Sequence, residues 1–314
     1  MGKTYLERQL DDVPFSALGS KSIDLPRNGV LRGLSFRLTG TYTTGTGTYT
    51  KFDHAVYKLI QRIEVVANGK DTLKSIPFFF TRLLARADSG VAPDLTDVGV
   101  TASTAYPFVA YGFIPFAFTR ARRPLDGALD TRKLSSLSAV ITWGNDASMY
   151  SALGSGGSFT VAPTLQVKTL EYGNVEADFK AAINRHSTIQ HEVVSTKAED
   201  QEKIVIDRVY RRFFLYAEAA GVASNAIINK ITLKSGSFVF KSVKGPMAQS
   251  ELKTLYGLDA VDTGLYVVDA TTDGMLTESL NARGLTSLEF VLDVTKQTGT
   301  NIVYIFPEEV GEAA

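Results

Sequence analysis

The chain carries the same pattern of parts twice, and no other feature limits its possible folds as much. Ile60-Gln-Arg-Ile63-Glu-Val65-Val66 runs into a turn at Asn68-Gly69. A second strand follows, then Pro77, a helical stretch and Gly90. Far downstream, Ile228-Asn-Lys-Ile231-Thr-Leu233-Lys234 runs into Ser235-Gly236. A strand, Pro246, a helical stretch and Gly257 follow in the same order. Later in each half, Leu134-Ser-Ser-Leu137-Ser-Ala-Val-Ile141 is echoed by Leu285-Thr-Ser-Leu288-Glu-Phe-Val-Leu292. The two echoes are offset by different lengths, so the loops have diverged while the order of parts has not. A length of 314 residues accommodates two domains.

The repeated pieces read as strands. Leu34, Phe36 and Leu38 alternate with Ser35, Arg37 and Thr39, the period of a half-buried strand. Ile63 and Val65 alternate with Arg62 and Glu64, and Asn68-Gly69 is a type I′ hairpin signal. Leu137, Ala139, Ile141 and Trp143 share one strand face, which turns Trp143, the only tryptophan, inward. Pro77 suits the first turn of a helix and Gly90 its end, with Phe79, Leu83, Leu84 and Ala87 on one face. Pro246, Met247, Leu252, Leu255 and Gly257 take the matching roles in the second half. Leu6, Leu10 and Val13 fall at helical spacing, which predicts a short amphipathic arm ended by Pro14, and Glu176–Asn184 also reads as helical. The Thr/Gly/Tyr tract Thr41–Thr50 reads as a long hairpin tip or an exposed loop, since its glycines break regular pairing.

Each half thus holds about eight strand candidates, short turns and one inserted helix, the pattern of a sandwich or jelly roll. The predicted organisation is an arm at 1–18, a first β-domain at 19–175 and a connector at 176–188. A second β-domain at 189–308 and an acidic, mobile tail at 309–314 complete it.

Composition excludes several classes of chemistry. There are no cysteines, so disulfides, zinc–thiolate sites and cysteine nucleophiles are ruled out. Lys+Arg and Asp+Glu are equal at 33 each, which argues against a chain built to hold phosphate backbones and predicts no sequence-specific nucleic-acid binding. No apolar run approaches a spanning helix, and the first residues lack a secretion signal, so the expectation is a soluble protein assembled in the cytoplasm.

No motif points to catalysis. His54, His186 and His191 form no HExxH, and His186 and His191 read as solvent-exposed connector residues. Asp11-Asp12, Asp126/Asp130 and Asp259/Asp262 lie among turn residues, where Asp is favoured anyway. The glycine tracts Gly40–Gly47 and Gly154–Gly157 lack the Lys-Ser/Thr of a P-loop. No EF-hand loop is present and no cofactor is predicted, while loop carboxylates and carbonyls leave structural calcium open as an alternative. Two basic clusters remain: Arg120, Arg122 and Arg123 with Arg132 and Lys133, and Arg208, Arg211 and Arg212. They fit solvated strand ends or subunit salt bridges, or else contact with an anionic surface.

Three stretches combine with the duplication to give a resemblance. They are Leu25-Pro-Arg-Asn-Gly29-Val-Leu-Arg-Gly-Leu34-Ser-Phe36, Ile60-Gln-Arg-Ile63-Glu-Val-Val-Ala-Asn-Gly69, and Ala128-Leu-Asp-Thr-Arg132-Lys-Leu-Ser-Ser-Leu137 leading to Ile141-Thr-Trp143-Gly144. Over residues 20–308 the layout resembles the double jelly-roll major capsid proteins of tailless icosahedral viruses. Those of corticovirus-like and other membrane-containing bacteriophages are the nearest in size, and the tectivirus, algal-virus and adenovirus hexon proteins share the plan. The resemblance implies an all-β double jelly roll with a short helix in each half, and a structural role in the virion capsid rather than an enzyme. It implies homotrimers that act as pseudo-hexameric tiles, with neighbouring capsomers, penton and minor capsid proteins and an internal lipid membrane as partners. It places an N-terminal arm, here Lys3, Leu6, Arg8 and Leu10, against lipid or a neighbour; apart from the resemblance, the charges of Arg120, Arg122, Arg123 and Arg132 make them a candidate interface cluster. The competing reading is a tandem β-sandwich binding protein for carbohydrate or another ligand, which would expose a row of Trp and Tyr.

Overall fold

In the computed structural model the described residues are 4–119, 125–176, 182–271 and 275–311. They divide into two compact units, the first reaching residue 184 and the second comprising residues 185–311.

The first unit contains β1 (Thr4–Gln9), β2 (Val13–Pro14), β3 (Ser20–Asp24), β4 (Val30–Thr43), β5 (Thr50–Lys51), β6 (Ile60–Ala67), β7 (Asp71–Ile76), α1 (Phe78–Ser89), β8 (Leu95–Thr96), β9 (Ala105–Pro115), β10 (Leu129–Asp130), β11 (Leu137–Trp143), β12 (Tyr150–Ala152) and β13 (Ser158–Gly173). One sheet runs β1-β13-β4-β9-β8, and β3-β11-β6-β7 lie side by side in another. All of these pairings are antiparallel. Leu34, Phe36 and Leu38 of β4 are buried, as are Leu137, Ala139, Ile141 and Trp143 of β11, so the period-two alternation marks the core face of each strand.

The second unit begins within β14 (Ile183–His186). It continues through β15 (Ile189–Glu192), β16 (Lys197–Lys203), β17 (Val209–Ala219), β18 (Val222–Ala223), β19 (Ile228–Ser235), β20 (Phe238–Lys244), α2 (Gly245–Tyr256), β21 (Leu265–Asp269), β22 (Leu280–Asn281), β23 (Glu289–Val294) and β24 (Asn301–Gly311). Here β24-β17-β21 form one layer and β16-β23-β19-β20 the other. Phe213 of β17 meets Phe290 of β23 edge-to-face at 5.2 Å between the layers. Ile231, Leu233, Leu292, Val303 and Ile305 complete the same core.

The duplication extends to strand order. The neighbours β13-β4-β9 correspond to β24-β17-β21, and β3-β11-β6-β7 to β16-β23-β19-β20. The hairpins correspond residue by residue. In the first, Ile63 faces Ile76 and Val65 faces Lys74, a register shift follows, and then Val66 faces Thr72. In the second, Ile231 faces Val243 and Leu233 faces Lys241, a shift follows at the same point, and then Lys234 faces Val239. Asn68 and Gly69 both have positive φ, 53° and 72°, and the Lys70 N–H bonds the Ala67 carbonyl, as a type I′ turn requires. Gly90 and Gly257 end the helices in the left-handed region, each N–H returning to a carbonyl four residues back.

Several expectations need correction. The arm is not helical: Thr4–Gln9 is a strand paired along β13, from Thr4 opposite Gly173 to Gln9 opposite Lys168. The helical spacing of Leu6, Leu10 and Val13 was offset by the backbone partners that the edge of β13 supplies. Ile183 and Asn184 are strand rather than helix, and residues 177–181 of the expected Glu176–Asn184 helix lie outside the described residues. The α2 face that packs inward is Ala248, Leu252 and Tyr256, at spacing four, so Met247 and Leu255 are exposed. The acidic tail is β24 as far as Gly311, with Glu308 and Glu309 buried.

Candidate functional site

The first candidate region is the arm. All six residues of β1 are exposed, including Leu6 and Arg8, and Leu10 is half-buried. Lys3 lies outside the described residues. Tyr5 meets Tyr172 edge-on at 5.9 Å, Lys168 Nζ donates to Glu7 at 2.6 Å, and Arg8 lies 4.0 Å from the buried Glu171. The Lys168 hydrogen bond holds the Glu7 carboxyl below its ordinary pKa. A cavity of about 530 Å³ opens beside the arm, lined by Arg8, Leu25, Pro26, Arg27, Asn28 and Leu137 among others.

Of the expected interface cluster, Arg120, Arg122 and Arg123 lie outside the described residues. Arg132 grips Asp130 with two hydrogen bonds of 2.8 and 2.9 Å and donates to the Val175 and Glu176 carbonyls. The Arg132 hydrogen bond lowers the Asp130 pKa, and Arg132 ties Asp130 to the backbone at Val175 and Glu176.

The second unit holds a buried ionic cluster where solvated residues were expected. Glu308 of β24 accepts from Arg211 Nη1 at 3.2 Å and from Arg212 Nε, with His186 Nε2 3.8 Å from its other oxygen. All four side chains are essentially inaccessible. Burial alone would raise the Glu308 pKa, but Arg212, Arg211 and His186 outweigh it and hold the carboxyl well below its usual range. Arg212 also lies over the ring of Phe214 at 4.6 Å. Arg208, the third member of that basic cluster, is partly exposed and bonds Glu309. His191, also expected in solvent, is nearly buried between Glu202 at 2.8 Å and Asp200 at 2.9 Å, tying β15 to β16.

The glycine tracts have a structural use that composition concealed. Thr46 bridges to Ser155, and the Thr41–Thr50 tip folds down on the 154–157 turn instead of standing free. A Cβ on Gly45 would sit 1.9 Å from the Ser155 carbonyl oxygen, and one on Gly157 would sit 2.3 Å from the Tyr42 hydroxyl. Tyr42, Tyr49 and Thr44 are buried beneath this contact. Among the described residues no group of three or more His, Asp or Glu side chains is arranged to hold a metal ion.

No protein-family model matches the sequence, and no curated protein matches it. Solved structures do match, over nearly the whole length of both chains. The MCP of STIV, the Sulfolobus Turreted Icosahedral Virus, superposes with a TM-score of 0.78 at 17% identity, covering 98% of this chain and 97% of that one. The major capsid protein P2 of bacteriophage PM2 gives 0.65 at 15% identity, covering 99% and 98%. The capsid protein of PBCV-1 virus gives 0.66 at 12% identity, covering 99% and 95%. The chain therefore has the double jelly-roll fold of viral major capsid proteins, as the sequence layout implies. Nothing in the comparison favours a carbohydrate-binding pair, and Trp143 is fully buried.

Proposed function

We propose that this chain is the major capsid protein of an icosahedral virus, three copies forming a pseudo-hexameric capsomer that tiles the shell. The observation that carries this reading is the end-to-end likeness to the STIV and PM2 capsid proteins, with two corresponding jelly rolls in one chain and little length left over. A trimer of such a chain presents six similar units around its axis, so a threefold object takes the outline of a hexagon. Contacts among capsomers are individually weak and collectively strong, because a shell makes all of them at once. The equal numbers of acidic and basic residues suit dense packing, since copies do not repel at long range.

In this reading the chain acts mechanically and not as a catalyst, and its place is the virion shell. The buried Arg211–Arg212–Glu308 cluster and the folded-down glycine tip serve to keep the tile rigid. Penton and minor capsid proteins would close the vertices. The arm, with Leu6 and Arg8 exposed on β1 and Lys3 and Leu10 flanking it, would touch a neighbour or a lipid surface. Electron microscopy of the purified chain tests the reading: hexagonal particles with threefold symmetry are expected, and compact single-chain particles at micromolar concentration would overturn it.

A further inference from the structure

The two units close the same corner of their sandwiches in different ways. In the first unit β2 lies on β13 and β3 on β11, and the segment between β2 and β3 carries Phe15. Phe15 meets Trp143 of β11 at 5.4 Å and Phe159 of β13 at 5.1 Å, both edge-on, so this corner is apolar. In the second unit β15 lies on β24 and β16 on β23, in the corresponding places. Here the corner is ionic.

His191 of β15 has a carboxylate at each ring nitrogen: Glu202 Oε2 is 2.8 Å from Nδ1 and Asp200 Oδ2 is 2.9 Å from Nε2. Lys197 Nζ donates to the other Asp200 oxygen at 3.2 Å. Residues directly opposite one another on paired strands share a face. His191 stands opposite Val303, Asp200 opposite Leu292 and Glu202 opposite Phe290, and these three partners belong to the core. The cluster therefore lies on the inward face, with the His191 side chain 11% exposed and that of Asp200 8%. Among the described residues no further charged side chain meets it, and Glu192, next along β15, is exposed.

A neutral imidazole has one N–H and one lone pair, so it donates to one of the two carboxylates and turns a lone pair on the other. An imidazolium donates to both. Charge gives the same answer. With the ring protonated, the cluster holds two positive and two negative groups. With the ring neutral, one negative charge is left over on a largely buried face, where it is costly. Burial would raise the Asp200 pKa, but the hydrogen bonds from His191 and Lys197 outweigh it and hold the carboxyl below its ordinary value. Imidazole is also the side chain whose charge changes near neutral pH.

We propose that His191 is a proton-operated clasp between the two layers of the second unit. Protonated, it holds β15 against β16 and covers the segment that joins them, whose Val193 is fully buried. On losing its proton it frees one carboxylate, and the corner opens to water. The stabilisation it adds is present at mildly acidic pH and is lost as the pH rises; it also fails in strong acid, where the carboxylates take up protons. The first unit's corner, built from Phe15, Trp143 and Phe159, has no such dependence. The clasp acts within one unit of one chain and does not depend on what the chain assembles into.

Hydrogen exchange at the backbone amides of residues 189–203 reads the clasp in the full chain. Wild type and variant are compared at the same pH, so intrinsic exchange rates cancel. His191→Gln keeps one donor and one acceptor and so mimics the neutral ring. At about pH 6 the wild type should be protected roughly tenfold or more over H191Q across β15 and β16, since hydrogen bonds between charged groups are the stronger ones. At about pH 8.5 the two should converge. Residues 13–24 of the first unit should show no difference at either pH. A wild-type advantage that is equal at both pH values, that grows with pH, or that is missing from both would overturn the proposal. If H191Q does not fold, Glu202→Gln, at a side chain 25% exposed, reads the same bond. Its loss of protection should shrink between about pH 6 and about pH 8.5, and a constant or growing loss would overturn the proposal.

Discussion

Replacing Glu308 by Gln keeps the side-chain volume and removes the carboxylate that the buried Arg211 and Arg212 guanidiniums share. Removing one partner of a buried ionic group costs about 3–5 kcal/mol, because the charge left behind has already lost its water. At roughly 2–4 °C per kcal/mol for a chain region of this size, the midpoint of thermal unfolding should fall by about 6–20 °C. The pH dependence follows from the direction of the shift. The Glu308 carboxyl has a folded pKa held below the unfolded value of about 4.3. Its stabilisation is therefore fully present above the unfolded pKa and is lost as pH falls through the folded one. The gap between wild type and E308Q should be present in full at pH 7 and should narrow below about pH 4. Urea unfolding of both proteins at fixed concentration, followed by circular dichroism at pH 7 and pH 3.5, measures it. A gap under about 1 kcal/mol at pH 7, or one that widens on acidification, would refute the claim that this cluster is a charged, coupled unit.

Other outcomes follow from the same packing. Ile63→Asp and Leu288→Asp each put a carboxylate into a core where the native side chain is at most 1% exposed, so neither variant should give soluble folded protein; a folded product of either would mean the side chain can reach water. Gly45→Ala would push a methyl group into the Ser155 carbonyl and should cost about 1–3 kcal/mol in urea unfolding, against under about 0.5 kcal/mol for a change at an open, exposed position. Trp143→Ala should cost roughly 3–5 kcal/mol and quench the single-tryptophan fluorescence signal entirely; a loss under about 1 kcal/mol would mean the site collapses without strain.

The parts of the fold that could be read from the sequence are those set by local chemistry. The Asn68-Gly69 turn, the Gly90 and Gly257 helix ends and the alternation along Leu137–Trp143 are each specified within a few residues. The duplication was legible because both copies keep those local signals. What could not be read depends on distant partners. Arg211 and Arg212 look solvated because their carboxylate is some 96 residues further along the chain. His191 looks like a connector residue until β16 brings Asp200 and Glu202 against it. The arm carried a helix-like spacing, and only the pairing edge of β13 makes it a strand. The exposure of Phe238 and Val239 was likewise hidden, since strand propensity does not distinguish an edge from an interior strand.

The account turns on a duplicated chain acting as a tile. Light scattering coupled to size exclusion, on the purified chain at micromolar concentration, measures that directly. A single species of three times the 34.1 kDa chain mass is predicted. A single species at the mass of one chain would contradict the account.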